Sequence, residues 1–267
     1  MGNLLSFLGS PVLGVASGYS STGETRVYIC GVSIKPDETL ELHFPKGHPF
    51  TLKQKLTVHL DNRTGVDEYD ASLHVYRTAY KGLVSFIDGN TVFLVPRHFE
   101  LVYGNKVVHS VNASDYQHAQ DDRPDMPFAI TPLSNEPIPD GREKENKIGV
   151  LVTEAMGQPH TTVLAFLSTP CDDIFFISFP NTLKSKLLKR NHYCHFAIDS
   201  RAVFTYTHAI EWNYTIIEAD AYIVPKEHSL FEPIRTQFVL KNPWEMGFFM
   251  APDVEMYHLK PRRVIMP

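Results

Sequence analysis

The sequence predicts a mostly β protein with a few short helices. Its 267 residues include 17 Phe, 12 Tyr and 19 Pro, and short alternating or β-branched segments recur between turn-forming residues. Long runs rich in Ala, Glu, Lys and Leu, typical of helical proteins, are absent from the sequence. The length favours two domains.

The first half of the chain predicts a small β-barrel or sandwich over residues 23–112. The turn segment Asp88-Gly89-Asn90 between two apolar segments predicts a hairpin, because Gly and Asn tolerate positive φ. Residues 1–22 carry an apolar stretch interrupted by Gly9, Ser10 and Pro11, and are predicted to be a flexible leader. The predicted strands are 26–34, 40–44, 55–60, 72–77, 83–87, 91–95 and 99–103.

Residues 113–145 predict a linker. Five prolines lie between positions 124 and 139, together with the charged run 121–125. Proline removes backbone donors and charged side chains resist burial, so this composition disfavours a sheet. The second domain is therefore predicted to span residues 146–267.

The second half begins with strands predicted at 147–154, 161–167 and 174–179, joined by short loops as an antiparallel meander. Leu183, Leu187 and Leu188 recur at helical spacing among basic residues, which predicts an amphipathic helix over 181–191. Further strands are predicted at 195–199, 202–207 and 215–224, followed by a helix at 227–238.

The order of the motifs in this half carries a family resemblance. Strand 149–153 is followed by a turn with Gly157 and His160, strands 161–164 and 175–178, the helix start 181–184, and the segments 188–191 and 193–198. A long strand with small residues at 216–224 and a closing strand at 255–264 complete the series. The series resembles the flavin-binding split-barrel family typified by pyridoxamine-phosphate oxidase. The resemblance implies a C-terminal split β-barrel after the N-terminal domain.

The resemblance also implies FMN as cofactor. Lys184 matches the family's phosphate-binding Lys, Thr182 matches the preceding Ser, and Leu183 stands where well-characterised members have Arg. A phosphate is well held at a helix N-terminus beside a cation. A solvated basic helix face and a barrel core remain the alternative explanations of these residues. The implied flavin-binding residues are Thr162, Val163, Leu164, Ile177, Ser178, Thr182, Lys184 and Ser185.

Family members are usually homodimers that build the flavin site from both subunits, so the resemblance implies a homodimer with the cofactor at the interface. The implied candidates for the second subunit's contribution are Arg201, Trp212, Trp244, Arg262 and Arg263. A buried aromatic side chain is the alternative explanation of either Trp.

The 13 histidines raise the question of metal or haem chemistry. His192 and Cys194 would lie on one face of a strand and His195 on the other, so the three cannot converge on one metal. We therefore expect no metal site. His160, just before the strand that the resemblance implies to line the flavin, could donate to a ligand or close a turn, and the turn is favoured. Haem remains an alternative to FMN as the cofactor, and the third possibility is that the protein binds no cofactor.

Composition and motifs exclude several functions. A net charge of −5 disfavours nucleic-acid binding, and no apolar window is long enough to span a bilayer. The three unpaired cysteines favour a reducing cytoplasm, and hydrolase and nucleotide-triphosphatase motifs are absent. Among the functions that remain, the family resemblance implies a flavin-dependent oxidoreductase acting on a small-molecule substrate or electron donor. The alternative is a non-catalytic nucleotide- or haem-sensing protein that uses the barrel for dimerisation.

Overall fold

A computed structural model of the chain describes residues 2–62, 74–144, 146, 148–199 and 214–266. Within these ranges fourteen strands form two seven-stranded antiparallel sheets. The first sheet closes into a six-stranded barrel and the second forms a half-barrel, which confirms the predicted fold class. Of the helices described, none is long and apolar enough to cross a membrane.

The N-terminal barrel closes because β3 pairs with β2 on one side and with β6 on the other. β7 extends the sheet beyond β6, and buried side chains such as Leu40, Val58 and Tyr80 fill the interior. The elements are α1 (Leu4–Leu8), β1 (Val12–Tyr19), β2 (Thr25–Ile34), β3 (Leu40–His43), β4 (Lys55–Asp61), β5 (Tyr76–Asp88), β6 (Thr91–Tyr103) and β7 (Lys106–Asn112).

The prediction of a flexible leader over residues 1–22 is wrong for residues 4–19, which belong to the barrel. β1 lies between β2 and β4, and its Val15 and Ala16 are fully buried. Gly9, which suggested flexibility, has a positive φ of 76° and ends the short helix α1, while Gly14 allows close packing within β1. A Cβ on Gly14 would lie only 2.8 Å from Val32 Cγ2.

The C-terminal half-barrel has the strand order β10-β11-β14-β13-β12-β8-β9. β9 and β10 lie at opposite edges of this sheet, although Phe166 alone separates them along the chain. The elements are β8 (Ile148–Thr153), β9 (His160–Ala165), β10 (Leu167–Ser168), β11 (Ile174–Ser178), α2 (Leu183–Arg190), β12 (Tyr193–Asp199), β13 (Tyr214–Val224), α3 (Phe231–Lys241) and β14 (Glu255–Ile265).

Several sequence predictions need correction in detail. The predicted second strand 161–167 is divided at Phe166 into β9, which pairs with β8, and β10, which pairs with β11, so the predicted meander contains a bend that the sequence did not show. The bend at the buried Phe166 carries the chain to the opposite edge of the sheet. β5 and β6 are single long strands, since the register shift where Gly82 faces Pro96 interrupts the alternation without ending either strand. The predicted strand 202–207 lies outside the described residues.

The segment predicted as a linker follows a bonded path between the domains. Within the described residues 113–144, a short 3-10 helix at Gly141–Glu143 is the only helix, and no strand is present. Ala113 N donates to Arg97 O at 2.7 Å on the first barrel, whereas Thr131 N donates to Ile223 O at 2.9 Å on the second. These bonds tie the segment to both barrels.

The two barrels pack through a shared apolar layer and through the turn between β8 and β9. Tyr19 Oη donates to Ala155 O at 2.5 Å and accepts from Ala155 N at 3.1 Å. Burial raises the pKa of Tyr19 to about 12, which keeps the phenol protonated. The apolar layer consists of Leu13, Val15, Val27, Ile29, Val150, Val152, Ala197 and Ile216.

Replacing Tyr19 by Phe is expected to lower the free energy of unfolding by about 1–2 kcal/mol, because both polar groups of Ala155 lose their partner. The measurement is urea unfolding followed by circular dichroism. Tyr28→Phe is the matched control, since the Tyr28 hydroxyl has no hydrogen bond within the described residues while its ring packs on Phe44. Equal losses in the two variants would contradict the assigned role of Tyr19.

Candidate functional site

A cleft of about 880 Å³ lies between the two barrels. β4, β5 and β6 form its N-terminal wall, together with His118 from the connecting segment. β9, the end of β11, the start of α2 and the 3-10 segment Pro243–Met250 form the opposite wall. This volume is typical of sites for small molecules and cofactors.

β9 presents its free edge to the cleft. All six of its residues, His160–Ala165, line the cleft, whereas a strand facing a cavity with one side-chain face would contribute only alternate residues. β9 pairs with β8 alone in the described sheet, so its other edge carries backbone N–H and C=O groups without a strand partner. A planar ligand with alternating donors and acceptors can bond along such an edge.

The start of α2 is fixed by a cluster of three hydroxyl groups. The side chains of Ser178, Thr182 and Ser185 lie 2.9–3.0 Å from one another, and Ser185 N donates to Thr182 Oγ1 at 3.4 Å. Thr182 is therefore the N-cap of the helix. Because Ser185 is fully buried behind this cap, its hydroxyl serves the helix terminus rather than the cleft.

Lys184 lines the cleft one residue after the helix begins. Its ammonium group has no hydrogen bond or ion pair among the described residues, whereas Lys189 lies 3.9 Å from Glu255 and Arg190 lies 3.8 Å from Asp125. Burial lowers the pKa of Lys184. A half-buried cation at a helix N-terminus without a protein anion is a site for an anionic ligand.

The N-terminal wall carries a second buried cation, Lys81. Only 5% of this residue is exposed, and its Nζ donates to Thr57 Oγ1 at 3.3 Å and to Pro159 O at 3.2 Å. Burial lowers the pKa of Lys81 to about 8. Beside it His59 Nε2 lies 3.1 Å from Asp61 Oδ2, and both side chains are buried. This wall is thus polar where the β9 wall is largely apolar.

Three lining residues hold a buried polar atom without a hydrogen-bond partner in the described structure. These atoms are Thr78 Oγ1 on the N-terminal wall and His160 Nδ1 and Thr161 Oγ1 on the opposite wall. Buried polar atoms in native proteins are nearly always paired, and leaving one unpaired costs about 1–3 kcal/mol. These unpartnered atoms lie on both walls of the cleft.

His160 is the first residue of β9 and pairs with Thr153 in register. Burial, reinforced by the positive charges of Lys81 and Lys184 and by His118, lowers the pKa of His160 to about 3. The imidazole is therefore neutral at physiological pH. It can donate or accept a hydrogen bond, or bind a metal, but cannot act as a proton donor of ordinary strength.

The cleft gathers most of the residues predicted from the sequence. Thr182 and Ser185 lie behind the cleft in the helix cap, and Trp244 lines it. Arg262 is bonded to Asp220 instead, while Arg201 and Trp212 lie outside the described residues. The predicted residues that line the cleft are Thr162, Val163, Leu164, Ile177, Ser178 and Lys184.

Sequence analysis missed the N-terminal wall. Lys81 stands between Tyr80 and Gly82 in a strand whose pairing was not predictable, so nothing marked its side chain as buried. No group of three potential metal ligands occurs among the described residues. Cys194 lies in the core, where burial raises the pKa of its thiol, and burial lowers the pKa of His195 to about 4.

Comparisons with known proteins find similarity in structure only. No protein-family model and no curated protein matches the sequence. HutZ, a haem storage protein from Vibrio cholerae, matches at 17% identity and a TM-score of 0.39, over 46% of this chain and 88% of HutZ. A putative pyridoxamine 5'-phosphate oxidase from Listeria innocua matches at 19% identity and a TM-score of 0.35, over 45% of this chain and 87% of its own.

A FAD-binding protein from Mesorhizobium loti also matches, at 12% identity and a TM-score of 0.36, over 45% of this chain and 82% of its own. The resemblance to pyridoxamine-phosphate oxidase-like proteins that the sequence suggests is thus found again among solved structures. Each of these three matches covers less than half of the chain.

The ring resonance of His160, identified by its absence in His160→Gln, is expected not to titrate between pH 5.5 and 8 in ¹H–¹³C NMR spectra. Since the folded pKa lies below the unfolded value of 6.5, the unfolded chain binds the extra proton as the pH falls. The stability contributed by neutral His160 is complete above pH 6.5 and is lost towards pH 3. A titration midpoint near 6.5 would contradict the burial of this ring.

Proposed function

We propose that the protein binds FMN in the cleft between its barrels and acts as a flavin-dependent oxidoreductase on a small molecule. The observation that supports this most strongly is the free edge of β9 lying along the cleft, with the unpaired ammonium of Lys184 at the helix N-terminus nearby. The combination suits a planar heterocycle that carries a phosphate.

The residues present fit FMN. A cleft of about 880 Å³ is large enough for a ligand of this size. Val163, Leu164 and Ile177 offer apolar contact to a flat ring, and the backbone edge of β9 offers hydrogen bonds to its ring nitrogens and carbonyls. Lys184 and the N–H groups at the start of α2 would hold the phosphate.

Leu183 stands half-exposed at the cleft where the resembled family has an arginine. The phosphate would therefore depend on Lys184 more heavily than in a site with two cations. Its depressed pKa follows from burial without a protein anion, and a bound phosphate would supply that anion.

Bound FMN would supply electron or hydride transfer, while the protein would bind and orient the ring and exclude water. Hydride transfer to a flavin needs no side-chain acid or base, so neutral His160 is compatible with it. The substrate would enter beside the polar N-terminal wall. NADH and NADPH are the natural donors to test, with ferricyanide as acceptor.

Haem is the second candidate ligand. If haem binds, the corresponding function is the alternative one, non-catalytic sensing. A neutral imidazole is the form that ligates iron, and His160 is held neutral while lining the cleft with an unpartnered Nδ1. A Soret band that appears on hemin addition and is lost in His160→Ala would favour this candidate over FMN.

The homodimer, with the cofactor at the interface between chains, and the cytoplasmic location both stay predictions. Light scattering of the purified protein tests the first, and microscopy of a tagged full-length chain tests the second.

The wild-type protein is expected to bind FMN at least ten-fold more tightly than riboflavin, because only FMN carries the phosphate. Lys184→Gln is expected to reduce FMN affinity by about ten- to one-hundred-fold and to leave riboflavin affinity unchanged. Quenching of flavin fluorescence during titration of the protein measures both affinities.

Lys186→Gln is the matched control, because Lys186 lies on the exposed side of the same helix. It should bind both flavins as the wild type does. Loss of riboflavin binding in Lys184→Gln would refute a phosphate-specific role, and a wild-type protein that remains colourless after FMN addition would overturn the proposed function.

A further inference from the structure

The two barrels have the same strand topology. Around the N-terminal barrel the hydrogen-bonded order is β1-β2-β3-β6-β5-β4, with β4 returning to β1. In the C-terminal half-barrel, β9 and β10 together act as one bent second strand, because Phe166 alone separates them. The order is then β8-β9/β10-β11-β14-β13-β12, with β12 returning to β8. If the six strands of each barrel are numbered along the chain, the order around both barrels is first, second, third, sixth, fifth and fourth.

The contacts between the barrels are reciprocal. The fourth and fifth strands of the first barrel, β4 and β5, contact β9, which is the second strand of the other. The fourth and fifth strands of the second barrel, β12 and β13, contact β2, which is the second strand of the first. The first strands β1 and β8 share the apolar layer between the barrels. Such exchange of equivalent contacts is the signature of a two-fold isologous interface.

This pseudo-two-fold arrangement would generate two equivalent clefts, but only one of them has a helix N-terminus with a lysine. α2 follows the third strand of the C-terminal barrel and presents Lys184. The corresponding loop of the N-terminal barrel, residues 44–54, contains no helix. Its Phe44 and Phe50 pack with Tyr28 in an aromatic cluster at centroid distances of 5.5–5.6 Å. The second position therefore lacks a helix terminus for an anion.

The N-terminal barrel supplies the polar side of the cleft that contains Lys184. Thr78 is buried with an unpartnered hydroxyl, and Lys81 is buried with neutral oxygens as its hydrogen-bond partners in the described structure. Lys81 reaches the carbonyl of Pro159, directly before the edge strand β9. Lys81 and Thr78 thus both line the cleft that β9 borders.

We infer that the chain is an internal pseudo-dimer with a single ligand site, in which the N-terminal barrel takes the part of a second subunit and binds the ring portion of the ligand through Lys81 and Thr78. The inference rests on the proposed function in taking FMN as the ligand. It assigns a function to the N-terminal domain, and it replaces the homodimeric site predicted from the sequence with a site that is complete within one chain.

The test compares FMN and riboflavin binding to the full-length protein and its variants by isothermal titration, with the mass of each complex measured by light scattering. The wild type should bind one FMN per chain as a monomer. Lys81→Met should weaken FMN and riboflavin binding equally, by about ten-fold or more, whereas Lys184→Gln affects FMN alone. Lys106→Met, an exposed lysine on β7, should bind both flavins as the wild type does.

Thr78→Val separates a ligand-binding role from a structural one. Valine has the same shape and removes the unpaired hydroxyl, so the unliganded variant should unfold at a higher temperature than the wild type. Its affinity for both flavins should nevertheless fall about five-fold. A purely structural threonine would give lower stability with unchanged affinity, which would overturn the assignment of Thr78.

The remaining outcomes distinguish this inference from the proposed function. Tight wild-type FMN binding that neither Lys81→Met nor Thr78→Val weakens, or one FMN per two chains in a dimer, would overturn the inference and leave the proposed function standing. Absence of FMN binding by the folded wild type would overturn both.

Discussion

The cleft depends on the attachment of the β8–β9 turn to the N-terminal barrel. Tyr19 bonds both polar groups of Ala155, Thr57 Oγ1 donates to Pro159 O at 2.6 Å, and Gln158 Nε2 donates to Leu56 O at 2.7 Å. These bonds hold the start of β9 against β4 and β5. Because β9 carries its free edge along the cleft, the same bonds set the distance between the two walls.

Because that attachment holds the two barrels against each other, a lysine from each barrel lines the cleft. Lys81 is buried and Lys184 is half-buried on opposite walls, both without carboxylate partners in the described structure, and burial lowers the pKa of each. A buried cation without a counter-ion destabilises the unliganded protein, so the proposed anionic ligand would recover free energy on binding. The unpartnered atoms of Thr78 and Thr161 add to this effect.

The sequence predicted the two-domain β architecture, the hairpin at Gly89, α2 and most of the apolar wall, because those features depend on local periodicity and turn chemistry. It failed at residues 4–19, which form a short helix and the buried strand β1, where Gly14 allows close approach of the neighbouring strands. It also missed the bend at Phe166, which divides the predicted strand 161–167 into β9 and β10. The polar N-terminal wall could not be predicted from the sequence, because Lys81 lines the cleft only through contact between the domains. The shared strand order of the two barrels leaves no visible sequence repeat, because pairing partners are fixed by non-local contacts.

A crystal structure of the protein with FMN tests the central claim most directly, which is that one ligand lies between two barrels of one chain. The account predicts a flavin ring along the edge of β9, the phosphate within hydrogen-bond distance of Lys184 Nζ, and Lys81 and Thr78 of the same chain against the ring. A flavin held between two chains, or bound away from β9, would contradict it.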